Sequence, residues 1–244
     1  MQRWSWWPSI PPGLPVPLVS LGSHPCPYLP GRVARDRAFL ADAMPPEAYE
    51  RLMDRGFRRS GNVIYQPSCR GCRSCRPVRV LVDEFSEGRR FRRCGRRNAD
   101  LHVTHGRLEP TPEKFDLYHR YQRVRHGERD HLDWPGFVDF LYDTPVKTVE
   151  FCYRDATGRL IGVGICDEGA RSLSSVYFYY DPDEVKRSVG TFGVLAELAY
   201  CRERNLPHYY LGFWVEGCRA MAYKNDFKPY EVLDTDGIWR SGSA

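Results

Sequence analysis

The sequence predicts an α/β fold (α+β in detail): a mixed sheet faced by helices, preceded by a smaller module rich in cysteine and arginine. Three observations carry that prediction. Strand-like apolar runs alternate with helical segments through the second half of the chain. Cys69, Cys72 and Cys75 recur at every third position in the first half. The stretch from Arg51 to Arg97 holds 14 arginines against four acids, a local charge of +10 that leaves −5 for the remainder.

Taken in order, residues 1–23 are expected to be loose, with Trp4, Trp6 and Trp7 set among prolines. Order begins near His24-Pro25-Cys26-Pro27-Tyr28-Leu29-Pro30, which is too rich in proline for a helix. Pro45-Pro46 opens a helix through Tyr49, Leu52 and Met53 that Gly56 stops. Phe57 to Tyr65 predicts a hairpin turning at Ser60-Gly61-Asn62. Val78 to Val82 is a strand, Ser86 to Arg97 a basic helix or loop, and Asp100 to Val103 a short strand. Glu109 to Pro112 reads as the boundary between a cysteine- and arginine-rich domain over 24–108 and a second domain over 109–244.

In that second domain Thr111 caps, and Pro112 begins, a helix through Phe115, Tyr118 and Tyr121. Trp134-Pro135 opens a shorter one. Three strands follow, Thr148 to Tyr153, Leu160 to Cys166 and Leu173 to Tyr180, separated by Asp155-Ala156-Thr157-Gly158 and Asp167-Glu168-Gly169-Ala170 turns. Ser188 to Arg204 is a long helix, His208 to Trp214 a strand, Cys218 to Phe227 a helix and Val232 to Trp239 a last strand. That order is the one expected of an acetyltransferase-like domain on a mixed sheet.

The 244 residues, 42% of them hydrophobic, suffice for one large domain or two small ones. The localised arginine block argues for a polyanionic partner, against the plainer reading of a solvated face. Nine cysteines, unevenly clustered, suit a reducing compartment better than a disulfide framework. No run reaches the length of a membrane span, and the opening lacks the features of a signal peptide, so a cytoplasmic protein without a membrane partner is expected.

Several stretches together resemble the leucyl/arginyl-tRNA–protein transferases of the N-end rule pathway. They are His24 to Pro30, Phe57-Arg-Arg-Ser-Gly61, Tyr65 to Arg79, Ser175 to Pro182, Ser188-Val-Gly-Thr191, Tyr210 to Trp214 and Gly217 to Lys224. The Cys-x-x-Cys-x-x-Cys run and the chain length look like the bacterial aspartate/glutamate leucyltransferase branch; Leu29 stands where the eukaryotic branch carries a cysteine. The resemblance implies transfer of leucine from leucyl-tRNA to proteins beginning with Asp or Glu, which marks them for degradation. An arginyl-tRNA-using transferase, a coenzyme A-dependent N-acetyltransferase and a non-catalytic tRNA-binding module are the other readings.

Attack by an α-amine on an aminoacyl ester needs no strong base, because that amine's pKa lies near 8. It needs alignment of two large substrates and stabilisation of a tetrahedral oxyanion. Asp181, at the end of a strand, is the expected acceptor for the amine; the competing reading is that Asp181-Pro182 starts a turn. Tyr223 and Lys224 are the candidates to donate to the oxyanion or leaving oxygen, and Glu216 is a further candidate base. Arg187, Ser188 and Gly190 precede or open the long helix, where an anion can bind. Arg187 to Thr191 has only one glycine, short of a full pyrophosphate loop, which favours an aminoacyl-tRNA 3′ end over coenzyme A. Arg58, Arg59, Arg73, Arg76 and Arg79 are expected on tRNA phosphate. The chemistry requires no cofactor. Cys26, Cys69, Cys72 and Cys75 are either four ligands to zinc or an iron–sulfur cluster, or free thiols that pack the module.

Overall fold

The structure, a computed structural model, describes residues 17–127 and 133–242. The expected loose start lies outside the described residues as far as position 16. The first elements are short: β1 (Val19–Ser20), β2 (His24–Pro25), β3 (Val33–Ala34), β4 (Asp36–Leu40), helix α1 (Pro46–Asp54), β5 (Arg58–Ser60) and β6 (Val63–Pro67). They form a four-stranded sheet in the order β1-β4-β6-β5, with β2 and β3 paired beside it. The β5–β6 hairpin turns at Gly61, as its sequence predicts. Glycine is required there, since φ is +58° and a Cβ would stand 2.6 Å from the Asp139 carbonyl oxygen. Tyr49 and Met53, one turn apart on α1, are fully buried against Phe39, Phe57 and Ile64.

The remaining elements are β7 (Cys75–Leu81), α2 (Arg89–Arg97), β8 (His102–Gly106), α3 (Pro112–His126), α4 (Trp134–Leu141), β9 (Thr148–Arg154), β10 (Leu160–Glu168), β11 (Ser172–Tyr180), α5 (Val189–Glu203), β12 (His208–Val215), β13 (Tyr230–Leu233) and β14 (Trp239–Ser241). Two 3-10 segments, Pro182–Arg187 and Arg219–Asp226, lead into α5 and β13. Eight strands make one sheet in the order β14-β13-β7-β12-β11-β10-β9-β8. Every neighbouring pair is antiparallel except β11 and β12, which α5 joins as a crossover. α5 and α2 cover one face through Val194, Leu198, Phe91 and Cys94; α3 and α4 cover the other through Leu117, Tyr118, Phe137 and Leu141. β10 is buried at all nine positions, as a strand covered on both faces must be. No helix among the described residues is long and apolar enough to cross a membrane.

Three expectations change. β7 and β8 precede residue 109 but belong to the large sheet, and Val78 and Val80 are fully buried there between β12 and β13. A boundary at 108/109 therefore does not separate two sheets. The last strand is a hairpin, because Asp234 and Gly237 close a turn (Gly237 N–H to Asp234 O, 3.0 Å) inside the expected 232–239 run. The segment before it is a 3-10 helix rather than an α-helix.

One feature of the sheet creates the site. β11 and β12 pair only at Ser172–His208, Leu173–Tyr209 and Ser174–Tyr210, although they run on to Tyr180 and Val215. Gly212, with φ of +78°, lies where the β12–β7 register shifts. Past Ser174 the two parallel strands part, and the gap between them is a cleft.

Candidate active site

The cleft is a cavity of about 860 Å³, walled by β11, β12, the first turns of α5, the 3-10 segment Arg219–Asp226 and the β5–β6 hairpin. Its lining includes the buried charged residues Arg58, Arg59, Glu197 and Lys224.

Lys224 comes from the 3-10 segment and is 7% exposed. Its Nζ donates to the Phe213 carbonyl at 2.7 Å, so β12 holds it. Burial, with the neighbouring Arg58 charge adding to it, lowers its pKa to about 7. Tyr223 beside it is two-fifths exposed, and burial of its hydroxyl end, with Glu197 near, pushes its pKa up to about 12. Glu197 lies on α5 in the same stripe as the core residues Val194 and Cys201 and is 1% exposed. Its Oε2 accepts the Tyr209 hydroxyl, and its Oε1 makes no hydrogen bond of ordinary geometry among the described residues. Burial raises this carboxyl to about 7, against the lowering effect of Tyr209, Cys166 and Ser175 around it. Ser188, in the left-handed region at φ +58°, and Gly190 open α5 at the cavity wall, and no side chain caps this helix start. The cavity can thus hold an anion at the α5 start and exchange protons near neutral pH.

The structure brings Arg58, Arg59, Ser188, Gly190, Tyr223 and Lys224 together in that lining, while Arg73, Arg76, Arg79, Asp181, Arg187 and Glu216 stand outside it. Asp181 is 1% exposed and stands outside the lining. Its carboxylate takes Arg120 at 2.7 and 3.3 Å, Arg159 at 2.9 Å and the Asp183 N–H at 3.0 Å. It caps the segment after β11 and ties α3 to that segment, so it has no free oxygen for an incoming amine. Arg187 is held by Asp100 at 2.6 and 2.9 Å and by Glu184 at 2.8 Å. Arg59 reaches the cavity wall, but its guanidinium is spent on Asp167 in a side-on pair at 2.6 and 2.7 Å. Arg79 is packed on Trp239, 4.3 Å from the ring centre, and bonded to Asp54 and Glu231. In this structure the guanidinium groups of Arg59, Arg79 and Arg187 are thus each engaged by carboxylates of the chain itself. Glu216 is exposed and absent from the lining.

Arg73 and Arg76 fare differently. With Arg37, Arg55 and Arg70 they line a second groove, of about 530 Å³, that shares Phe213 with the cavity. Arg73 donates to the carbonyls of Cys69 and Cys72 at 3.2 and 3.1 Å, and Arg76 lies 5.8 Å from the Trp214 ring centre. A further basic surface is α2, where Arg89, Arg93 and Arg96 are exposed at i, i+4 and i+7, opposite the buried Phe91, Cys94 and Asn98. α2 is tied to both 3-10 segments: Arg97 donates to the Lys186 carbonyl at 2.5 Å, and Arg90 pairs with Asp226 at 2.5 Å.

Cys26, Cys69, Cys72 and Cys75 surround one pocket of about 380 Å³. The N–H groups of Leu29 and Arg35 point at the sulfurs of Cys26 and Cys69, both at 3.4 Å. Burial, and then repulsion from the other three thiols, pushes Cys75 up to about 12, a state that a cation would relieve. The donor chemistry fits a soft metal, but among the described residues no three His, Cys, Asp or Glu side chains stand close enough to hold an ion. Cys94, Cys166 and Cys201 are buried packing residues.

Glu197 was missed by reading the sequence alone, whereas the basic segment Ser86 to Arg97 was read as a helix or loop and holds the helix α2. The signal for Glu197 was present: an acid in register with Val194 and Cys201 on the apolar face of α5.

Two family models match the chain: "Arginine-tRNA-protein transferase, N terminus" over residues 24–93, and "Arginine-tRNA-protein transferase, C terminus" over residues 113–234. The chain belongs to this transferase family. Among relatives, the aspartate/glutamate leucyltransferase of Granulibacter bethesdensis is 39% identical over 225 residues, covering 90% of this chain and 83% of its own. That of Parvibaculum lavamentivorans is 41% identical, covering 91% and 92%. Solved structures of similar shape include FemX, with a TM-score of 0.48, 11% identity and coverage of 72% of this chain and 64% of that one. The C-terminal domain of a putative lysylphosphatidylglycerol synthetase from Agrobacterium fabrum has a TM-score of 0.48 and 14% identity, covering 75% and 62%. In the family's frame, the first model ends inside α2 and the second begins at α3, so both contribute walls to the cavity.

Proposed function

We infer that this chain transfers leucine from leucyl-tRNA to the α-amine of proteins that begin with Asp or Glu. The observation that carries the reading is the cavity where β11 and β12 part, which has Lys224 and Glu197, both buried and with pKa values of about 7, in its lining. Those values bracket neither extreme of the reaction: they sit close to the pKa of the α-amine that must lose a proton. The amine nitrogen bonds to the ester carbonyl carbon, and the tetrahedral intermediate expels the ribose oxygen. Glu197, through its free Oε1, takes the proton that the amine gives up. Lys224 supplies one to the leaving oxygen, and Tyr223 donates a hydrogen bond to the oxyanion. The products are a leucyl-extended protein and uncharged tRNA. Asp181, first expected to accept the amine, keeps a structural role.

The tRNA lies along the arginine groove beside Phe213, with Arg70, Arg73 and Arg76 on phosphate, and α2 supplies a second line of contact. The charged 3′ end then enters the cavity towards the start of α5. We further propose that Cys26, Cys69, Cys72 and Cys75 close on zinc or an iron–sulfur cluster, which would tie the β2–β3 hairpin to the loop before β7; no step of transfer passes through it.

The test is direct. Purified protein given leucyl-tRNA should add leucine to peptides starting with Asp or Glu and ignore one starting with Ala. Equal use of arginyl-tRNA, or labelling that requires acetyl-coenzyme A, would overturn the reading.

A further inference from the structure

Arg58 and Arg59 are neighbours on β5 with different fates. Arg59 uses Nε and Nη2, one edge of its guanidinium, to grip both oxygens of Asp167. Arg58 is equally buried, at 5% exposure, yet it has no carboxylate partner among the described residues. Its Nη1 donates to the carbonyls of Met53 and Phe57 at 3.2 and 2.5 Å, while Nε and Nη2 have no hydrogen-bond partner among the described residues. The acid nearest to hand, Asp54, is already bonded to Arg79 and Tyr210. The faces of Tyr210 and Phe213, 5.1 and 5.6 Å from its ring-facing carbon, fix the guanidinium in place. A buried cation that keeps its bidentate edge empty, in the wall of a cavity, lacks one anion.

We propose that Arg58 is the residue that reads the acceptor: its Nε and Nη2 grip the side-chain carboxylate of the incoming N-terminal Asp or Glu. The inference rests on the leucyltransferase reading and adds to it the specificity determinant. The geometry it needs is the one Arg59 already makes with Asp167, one residue away. The α-amine of the same residue then points towards Glu197, a lining residue whose Oε1 is also without a hydrogen-bond partner among the described residues. Two unfilled poles of opposite sign match a residue with an ammonium and a side-chain carboxylate. An N-terminal Asn or Gln offers no charge to Arg58 and leaves its burial uncompensated.

The experiment compares leucyl transfer from leucyl-tRNA to otherwise identical peptides starting with Asp, Glu, Asn and Gln, in wild type, Arg58→Lys and Arg58→Gln. Wild type should favour Asp over Asn strongly. Arg58→Gln should lower kcat/KM for Asp on the order of 100-fold, through KM, with leucyl-tRNA affinity unchanged. Arg58→Lys should keep part of the preference for acid. In wild-type protein, the Arg58 Nε–H resonance should shift on adding an Asp-started peptide and stay still with an Asn-started one, a readout that does not depend on any variant folding. An unchanged Asp-to-Asn ratio in Arg58→Gln, a loss of tRNA affinity in its place, or a silent Arg58 resonance would overturn the assignment. Wild type that transfers no leucine would instead sink the parent reading.

Discussion

Replacing Glu197 by Gln offers a measurement with a calculable size. The carboxyl has an ordinary value of 4.5 and stands at about 7 when folded. The folded chain therefore holds a proton between those pH values that the unfolded chain has lost. Its contribution to stability is fully present below 4.5, falls as pH rises, and is spent above 7. At 1.36 kcal/mol per pH unit, the difference amounts to about 3 kcal/mol. Glutamine cannot ionise, and it keeps an oxygen for the Tyr209 hydroxyl, so the variant should lose this pH dependence. The gap in melting temperature between Glu197→Gln and wild type should grow in the variant's favour by roughly 6–12 °C from pH 4.5 to pH 8, for a chain of this size. Leucyl transfer at pH 8 should drop in the same variant, since the amide cannot take the amine's proton. A melting difference that is the same at both pH values would show that Glu197 ionises as an ordinary carboxylate, and the assignment of the cavity base would fall with it.

Other outcomes follow from the same geometry. Lys224→Met should slow transfer by on the order of 100-fold or more, the usual range for a proton donor, and abolish the fall in rate above pH 7 that deprotonation of Lys224 gives in wild type. Asp181→Ala should behave as a stability variant. It leaves Arg120 and Arg159 without their shared carboxylate and costs about 1–3 kcal/mol by urea titration, while kcat in the folded fraction is kept. Replacing Arg70, Arg73 and Arg76 together by Gln should reduce the slope of log affinity for tRNA against log salt by about 2–3, and an unaltered slope would take the groove out of the interface. Metal analysis of anaerobically purified protein should find zinc or iron in the wild type and none in a Cys72→Ser, Cys75→Ser variant.

Local signals in the sequence were legible where neighbouring residues decide the outcome. Thr111 caps α3 by accepting the Lys114 N–H at 3.3 Å, and Trp134-Pro135 opens α4. The Gly61 turn and the buried run of β10 follow from their residues in the same way. The order of strands and helices was readable for that reason. What the sequence concealed depends on partners far along the chain. Asp181 finds Arg120 61 residues before it, and Arg59 finds Asp167 108 residues after it. No periodicity tells which arginine of Arg58-Arg59 is consumed and which is spared. β7 was recognised as a strand, yet its place between β12 and β13 could not be read, because pairing order is a property of the whole sheet.

The central claim is that one cavity joins a leucyl ester to an acidic N-terminus. Its most direct measurement is a competition in one tube: leucyl-tRNA and acetyl-coenzyme A as rival donors, Asp- and Ala-started peptides as rival acceptors, read by mass spectrometry. The predicted product is the Asp-started peptide extended by one leucine, with the Ala-started peptide untouched. An acetylated product, or leucine spread equally over both peptides, would contradict it.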